Sequence, residues 1–224
     1  MRIAIVEDQE IMADALAILC VGVRGSRVVA QARTGKEAIK AILSSNPDLV
    51  ILDLGLPDAD GFHVMDVVRR AGCNPRVLVL SAYCDNNTVY RVERAGFDGF
   101  VDKGSEALRS LREALRAVSK GQRYFSEGYM RVRSRRRRDP QSFDRLLTER
   151  QQTVLSLIGG LFTDEEIASR LRVSRNTAEK HRFNILKKLG LRSKVTLLRY
   201  ANIHGFRPLT GLIGENDPAG KKLS

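Results

Sequence analysis

The stretch Asp48-Leu-Val-Ile-Leu-Asp53-Leu-Gly-Leu-Pro-Asp-Ala-Asp-Gly61 decides the fold. Residues 49–52 form an apolar run of Leu, Val and Ile, the length of a strand buried on both faces. The run stops at Asp53, and Gly55 and Pro57 follow, so this carboxylate stands where a strand meets its loop. In an open parallel sheet the C-terminal strand ends form the crevice where ligands bind. A partly buried charge there needs a partner, which makes it a costly choice for structure alone.

The same pattern repeats on either side. Arg2-Ile-Ala-Ile-Val6 predicts a first strand, running directly into Glu7 and Asp8. Apolar residues at helical spacing follow from Gln9 to Val21, then a strand at Val28–Ala32 and a helix opened by the capping box Thr34–Glu37. Gly61 lies near the predicted start of a helix running to Arg70. Arg76–Ser81 predicts the fourth strand, Asn86–Ala95 a helix, and Gly99–Lys103 a short fifth strand. Ser105–Lys120 completes the set as an amphipathic helix. Alternating strands and helices predict an α/β parallel sheet with helices on both faces. Polar groups stand at four strand ends: Glu7 with Asp8, Asp53, Ser81 and Lys103. If those strands are neighbours, the groups converge. Three carboxylates offer the hard oxygen ligands that suit Mg²⁺. Lys103 supplies a point charge and Ser81 a hydroxyl for phosphate oxygens, and Asp53 is the best-placed nucleophile for an aspartyl phosphate.

These residues resemble the receiver domain of two-component response regulators over residues 1–120. The resemblance rests on Glu7-Asp8, Asp53 with its downstream Leu56-Pro57 and Gly61, Ser81-Ala82, and Phe100-Val-Asp-Lys103. It implies a CheY-like (flavodoxin-like) doubly wound sheet of five parallel strands; the strand order 2-1-3-4-5 comes from the resemblance alone. It also implies that Asp53 is the phosphoacceptor. Asp8 and Asp53 would hold Mg²⁺ directly, Glu7 through water, with the Gly55 carbonyl completing the protein ligands. Ser81 and Lys103 would bind phosphate, and Phe100 would be the aromatic that turns inward on activation. Gly55 and Tyr83 stand where the family tunes phosphate lifetime.

Charge divides the chain. Residues 1–120 carry 16 Lys+Arg against 16 Asp+Glu, and residues 121–224 carry 22 against 10, so the whole net +12 lies in the second half. A neutral half joined to a basic half predicts two domains, the second with a polyanionic partner. Residues 121–144 contain Arg131-Val-Arg-Ser-Arg-Arg-Arg-Arg138, six arginines in eight positions. Their mutual repulsion predicts an exposed, mobile, basic linker. The run either adds phosphate contacts on DNA or, as a solvated linker, raises nonspecific DNA affinity through its field alone. No run approaches the length of a membrane helix, and the apolar segment after Met1 is too short for a signal peptide, which predicts a cytoplasmic protein with no membrane partner. Cys20, Cys73 and Cys84 lack any C-x-x-C spacing and read as free thiols.

Residues 145–204 predict four helices. Thr148 with Gln151, Thr163 with Glu166, and Ser174 open three of them, and the last spans roughly Ser193–Ile203. Two short helices joined by a tight turn, the second polar and basic, suit a helix-turn-helix with its second helix in the major groove. Leu147-Thr148, Arg150, Val154-Leu155, Glu166-Ile167-Ala168, Leu171, Ser174, Thr177, His181 and Asn184–Leu189 resemble the LuxR-type helix-turn-helix of NarL/FixJ-type regulators. By that family's docking, Glu179, Lys180 and Phe183 face base edges. Arg175, Thr177, Arg182, Lys187, Lys188, Arg192 and Lys194 are candidate phosphate contacts. Leu161 stands where the family usually has glycine, with Gly160 one place earlier; Arg172 replaces the usual turn glycine, which predicts a strained or altered turn there. Residues 205–224 read as a disordered tail.

The combined expectation is a response regulator transcription factor rather than an enzyme, with slow autodephosphorylation at most. A sensor histidine kinase would phosphorylate Asp53 with Mg²⁺ bound, switching homodimerisation and binding of double-stranded DNA, with RNA polymerase a further candidate partner. Two rivals stand beside it. One is a metal-dependent phosphohydrolase, which lacks a spare general acid beside Asp53. The other is a receiver with protein–protein output and weak DNA binding.

Overall fold

A computed structural model describes residues 1–104 and 107–207. The described chain forms β1 (Arg2–Val6), α1 (Glu10–Val21), β2 (Arg27–Ala32), α2 (Gly35–Ser45), β3 (Leu49–Asp53) and α3 (Gly61–Arg70). It continues as β4 (Arg76–Ser81), α4 (Asn86–Arg94), β5 (Gly99–Asp102), α5 (Ala107–Ser119) and β6 (Tyr124–Phe125). The expected start of α5 at Ser105 lies outside the described residues. Six helices follow: α6 (Glu127–Arg138), α7 (Phe143–Leu146), α8 (Glu149–Gly159), α9 (Asp164–Leu171), α10 (Arg175–Lys188) and α11 (Lys194–Ile203). The elements belong to two compact units, Met1–Cys84 with Arg91–Val132, and Asp85–Tyr90 with the chain from Arg133 onward.

In the first unit all strands run parallel in the order β2-β1-β3-β4-β5-β6. The five-strand expectation is corrected by β6, a two-residue strand that pairs Gly99 with Tyr124 and Phe100 with Phe125. Every residue of β3 is buried, as its unbroken apolar run requires of a central strand. Its Leu49 and Ile51 pack with Leu16 and Cys20 of α1 and with Leu111, Ala114, Leu115 and Val118 of α5. Val50 and Leu52 alternate to the other face, and α2 and α3 bury Ala38, Ile42, Val64, Met65 and Val68. Each such Leu, Ile or Val contributes about 1.5–3 kcal/mol by leaving water. Thr34 caps α2 by accepting from Glu37 N, while the Glu37 carboxylate returns to Arg33 N rather than closing the box on Thr34.

Residues 121–144 are more ordered than their charge suggests. The segment pairs as β6 and then turns into α6, whose Tyr129 is fully buried with its ring 5.1 Å from Phe100 and 4.7 Å from Phe125. The expected mobile hinge is therefore corrected to strand and helix. An aromatic anchor at one end and an ion pair at the other, Arg136 with Asp144, outweigh the arginine repulsion.

The second unit closes over Phe143, Leu147, Val154, Leu155, Leu157, Ile167, Ile185, Leu197, Ala201 and Phe206. Thr148–Gln151, Thr163–Glu166 and Ser193–Thr196 form reciprocal capping boxes, and Ser174 accepts from Thr177 N. The chain past Ile203 is still part of the core. Phe206 is fully buried against Phe143, ring centroids 4.8 Å apart, so the expected tail cannot start at 205. The rest of that expectation, from residue 208, lies outside the described residues.

Candidate functional site

The sheet register brings the first unit's polar groups together. Val6 pairs with Leu52, Asp53 with Leu80, and Ser81 with Asp102, so β1, β3, β4 and β5 end side by side. Glu7 and Asp8 leave β1, Asp53 closes β3, Ser81 closes β4, and Lys103 leaves β5. The Lys103 ammonium lies 2.8 Å from Glu7 Oε1 and 2.6 Å from Asp53 Oδ2. Asp53 Oδ1 accepts from Gly55 N at 3.0 Å, and Ser81 Oγ accepts from Tyr83 N at 3.2 Å. The loop after Asp53 is pinned by Asp60, which caps α3 through Phe62 N and takes Arg91 Nη2 at 2.7 Å. That guanidinium also lies 3.8 Å over the Phe62 ring.

Burial pushes the Glu7 carboxyl above the usual carboxylate range, and Asp53 opposite adds to it against the pull of Lys103. For Lys103, burial lowers the pKa, but the bonds to Asp53 and Glu7 reverse this and leave it raised. The ammonium is therefore charged and already faces the Asp53 carboxylate. Glu7, Asp8 and Asp53 can each offer one oxygen, all within 4.8 Å of one another. Glu7 Oε2 is buried without a hydrogen-bond partner among the described residues. An orphaned buried oxygen beside two further hard oxygen donors fits a divalent cation such as Mg²⁺. Asp8 is exposed at the mouth of the cluster. Phe100 is fully buried three positions before Lys103, packed on Tyr129. Sequence reasoning missed Tyr129; the signal was its spacing behind Tyr124-Phe125 in an otherwise polar segment.

In the second unit α10 buries Ala178 and Ile185 and turns Asn176, Glu179, Lys180, Phe183 and Lys187 outward. These are neighbours on one helical face. Phe183 is 65% exposed, a large apolar ring offered to solvent. Asn176 shares this face and was not singled out from the sequence, although an Asn two positions past a Ser cap was the available signal. Lys187, Arg192 and Lys194 are also exposed. Other candidates already have partners. Arg182 is largely buried in an ion pair with Asp164 of α9. Arg175 pairs with Glu165 at 2.8 Å and Glu179 at 2.9 Å. Lys188 donates to Gln151 Oε1 at 2.9 Å, and Thr177 Oγ1 lies 2.8 Å from Ser174 Oγ. The α9–α10 turn is intact: Arg172 itself adopts the left-handed conformation at φ 53°, and Val173 N closes on the Ala168 carbonyl at 3.0 Å.

A doubly wound sheet with an acidic cluster and a lysine at its strand ends, followed by a helix-turn-helix, has the architecture of a response regulator. The response regulator receiver domain matches residues 3–116, and the bacterial regulatory proteins of the luxR family match residues 145–201. The chain belongs to the response regulators that join a receiver domain to a luxR-type helix-turn-helix. The response regulator protein VraR of Staphylococcus saprophyticus is 31% identical over 178 residues, 79% of this chain and 84% of the relative. VraR of Staphylococcus aureus is 28% identical over 204 residues, 91% of this chain and 97% of the relative. RcsB from Salmonella enterica serovar Typhimurium, solved bound to a promoter, has a similar fold at TM-score 0.62 and 22% identity, covering 89% of this chain and 97% of that one. A LuxR-family response regulator from Aurantimonas sp. covers 62% of this chain and 98% of its own at TM-score 0.57 and 27% identity. Among the described residues no helix is long and apolar enough to cross a membrane.

Proposed function

We propose that Asp53 accepts a phosphoryl group from a sensor histidine kinase and that the α10 face then binds double-stranded DNA to control transcription. One observation carries the first half: Lys103 bridges Asp53 and Glu7 at the strand ends, with a third carboxylate beside them. An Asp53 oxygen attacks phosphorus, and the new O–P bond forms as the bond to the donor nitrogen breaks. That electron pair stays on the nitrogen, and because the other ring nitrogen carries a proton the donor leaves as neutral imidazole. Lys103 stands ready to receive a phosphate oxygen by exchanging its carboxylate bond for a phosphate one, and the Ser81 hydroxyl can take another. Mg²⁺, held by Glu7, Asp8, Asp53 and the Gly55 carbonyl, would neutralise charge on the transferring group.

The DNA half rests on the exposed α10 face and the retained turn. Asn176 suits an adenine edge, Phe183 a thymine methyl and Lys180 a guanine edge, while Glu179 accepts from cytosine. Lys187, Arg192 and Lys194 remain as phosphate contacts, with Arg175, Thr177, Arg182 and Lys188 needing to leave the partners they now hold. Exposed Val195 and Ile203 on α11 suit a homodimer on two half-sites. RNA polymerase would be contacted from that assembly. Intact mass after incubation with Mg²⁺ and a small acyl phosphate tests the switch. A single labile phosphoryl adduct, absent in Asp53→Asn, is expected; an adduct surviving in Asp53→Asn overturns the assignment.

A further inference from the structure

The arginine run at 131–138 is the feature the proposed function leaves unused. Six arginines in eight positions would be expected to hold the chain open. Instead they lie on a helix, α6, with four in its last turn, where cations are favoured by the carbonyl end of the helix. Two contacts within the second unit fix that end. Arg136 is buried in its ion pair with Asp144, whose other oxygen takes Ser142 Oγ. Arg145 Nη2 donates to the Arg137 carbonyl at 2.8 Å, closing a helix-end acceptor with a side chain from α7. With Arg136 turned inward, the exposed surface of this half is formed by Ser134, Arg135, Arg137 and Arg138, with Arg145 exposed beside them.

We propose that this end of α6 is a second DNA-binding element, which grips the phosphate backbone through Arg135 and Arg138 with Arg145 in support; the proposal rests on the reading of the second unit as a DNA binder. Arg135 and Arg138 are about one helical turn apart, so both guanidinium groups project from one side of the rod. They are held on a fixed scaffold, and so lose less freedom on binding than arginines of a mobile tail. Ser134 and the arginines offer no apolar stripe to enter a lipid headgroup layer, which separates this surface from membrane-surface helices. Of the acids beside it, Asp144 is taken by Arg136, while Asp139 is held in its own turn by accepting from Gln141 N and leaves the arginines in excess. A regular polyanion in reach of the helix-turn-helix is the ligand this chemistry fits. The contact reads charge rather than sequence, so it adds affinity and salt dependence without specificity.

The test uses the full chain and a duplex of arbitrary sequence, with binding measured across a salt series. Each phosphate contact contributes a slope of about 0.9 in log affinity against log salt. Arg135→Gln/Arg138→Gln should lower the slope by about 2, and cut the affinity lost between about 50 and 200 mM salt by roughly tenfold. Arg135→Lys/Arg138→Lys should restore the slope, since it keeps both charges. Far-UV circular dichroism identical to wild type excludes a folding defect. An unchanged slope in the Gln variant, with wild type still binding, overturns this proposal alone. A wild type with no salt-dependent DNA affinity overturns both this proposal and the DNA half of the proposed function.

Discussion

Replacing Leu161 and Arg172 by glycine should stabilise the second unit. Both residues are left-handed, at φ 67° and φ 53°. In each case the next residue's N–H bonds five positions back: Phe162 to the Leu157 carbonyl and Val173 to Ala168. The same closure recurs after Gly72, Gly96, Gly121, Gly190 and Gly205, all at positive φ. The chain thus uses one helix-ending device repeatedly, and these two turns are where it does so without glycine. A side chain in that conformation costs about 1–2 kcal/mol, and glycine's extra freedom in the unfolded chain returns about 0.5–1 kcal/mol of that. The net gain is about 0.5–1 kcal/mol per site. Leu161 is 74% exposed and Arg172 is exposed too, so little packing is lost with either side chain. Hydrogen exchange of α8–α10 amides in the full chain reads this directly. A gain of that size slows globally exchanging amides about 2–5-fold per substitution, from the tenfold per 1.4 kcal/mol relation. The double variant should show nearly the product of the two. Arg172→Ala is the control: it removes the guanidinium but keeps Cβ, and should gain nothing. If Arg172→Gly exchanges as fast as wild type, or if Ala protects as well as Gly, backbone strain is not what these turns store.

Three further outcomes follow from the geometry. Lys103→Met leaves Glu7 and Asp53 facing each other without their shared cation, and should cost about 3–5 kcal/mol in the metal-free protein; urea unfolding with chelator should show that loss, and excess Mg²⁺ should reverse much of it. Gly61→Ala puts a Cβ 2.7 Å from the Asp53 carbonyl and 3.0 Å from Leu54 Cα, so the start of α3 must back away from Asp53; urea unfolding should show a loss of about 1–3 kcal/mol, with slower formation of the proposed Asp53 adduct. Burial lowers the His204 pKa from 6.5, outweighing the opposite pull of Asp139 and Asp85, and the ring stacks 4.1 Å from Tyr200. The folded state thus prefers neutral His204, whose contribution is complete above pH 6.5 and is lost as pH falls through the lowered folded value. The melting temperature of wild type should therefore drop more between pH 7 and about 5.5 than that of His204→Gln, and equal drops would sink the assignment.

How much was legible follows from which forces are local. The β3 run and the acids at the strand ends were readable because a central parallel strand must be apolar throughout, and a polar residue ends it visibly. That placed Glu7, Asp53, Ser81 and Lys103 correctly at four neighbouring strand ends, and the caps of α8–α10 were readable from one-turn spacing. β6 was not, since two residues give no period to detect. α6 was misread because charge counting weighs repulsion among neighbours in sequence. It cannot see Asp144 beneath Arg136 or Phe100 beneath Tyr129, which are tertiary partners.

The same blindness explains α10. Its spacing gives Arg182 and Lys187 the same standing as cations on a recognition helix. Arg182 is spent on Asp164, a residue on the preceding helix, whereas Lys187 is exposed. A net charge of +12 therefore overstates what the second unit can offer a phosphate backbone. Cations already bonded to carboxylates, such as Arg175, Arg182 and Arg136, must break those bonds before they can release counterions from DNA. The salt slope measures that difference: it should track the exposed set formed by Lys180, Lys187, Arg192 and Lys194 with Arg135 and Arg138, and fall well short of the formal charge.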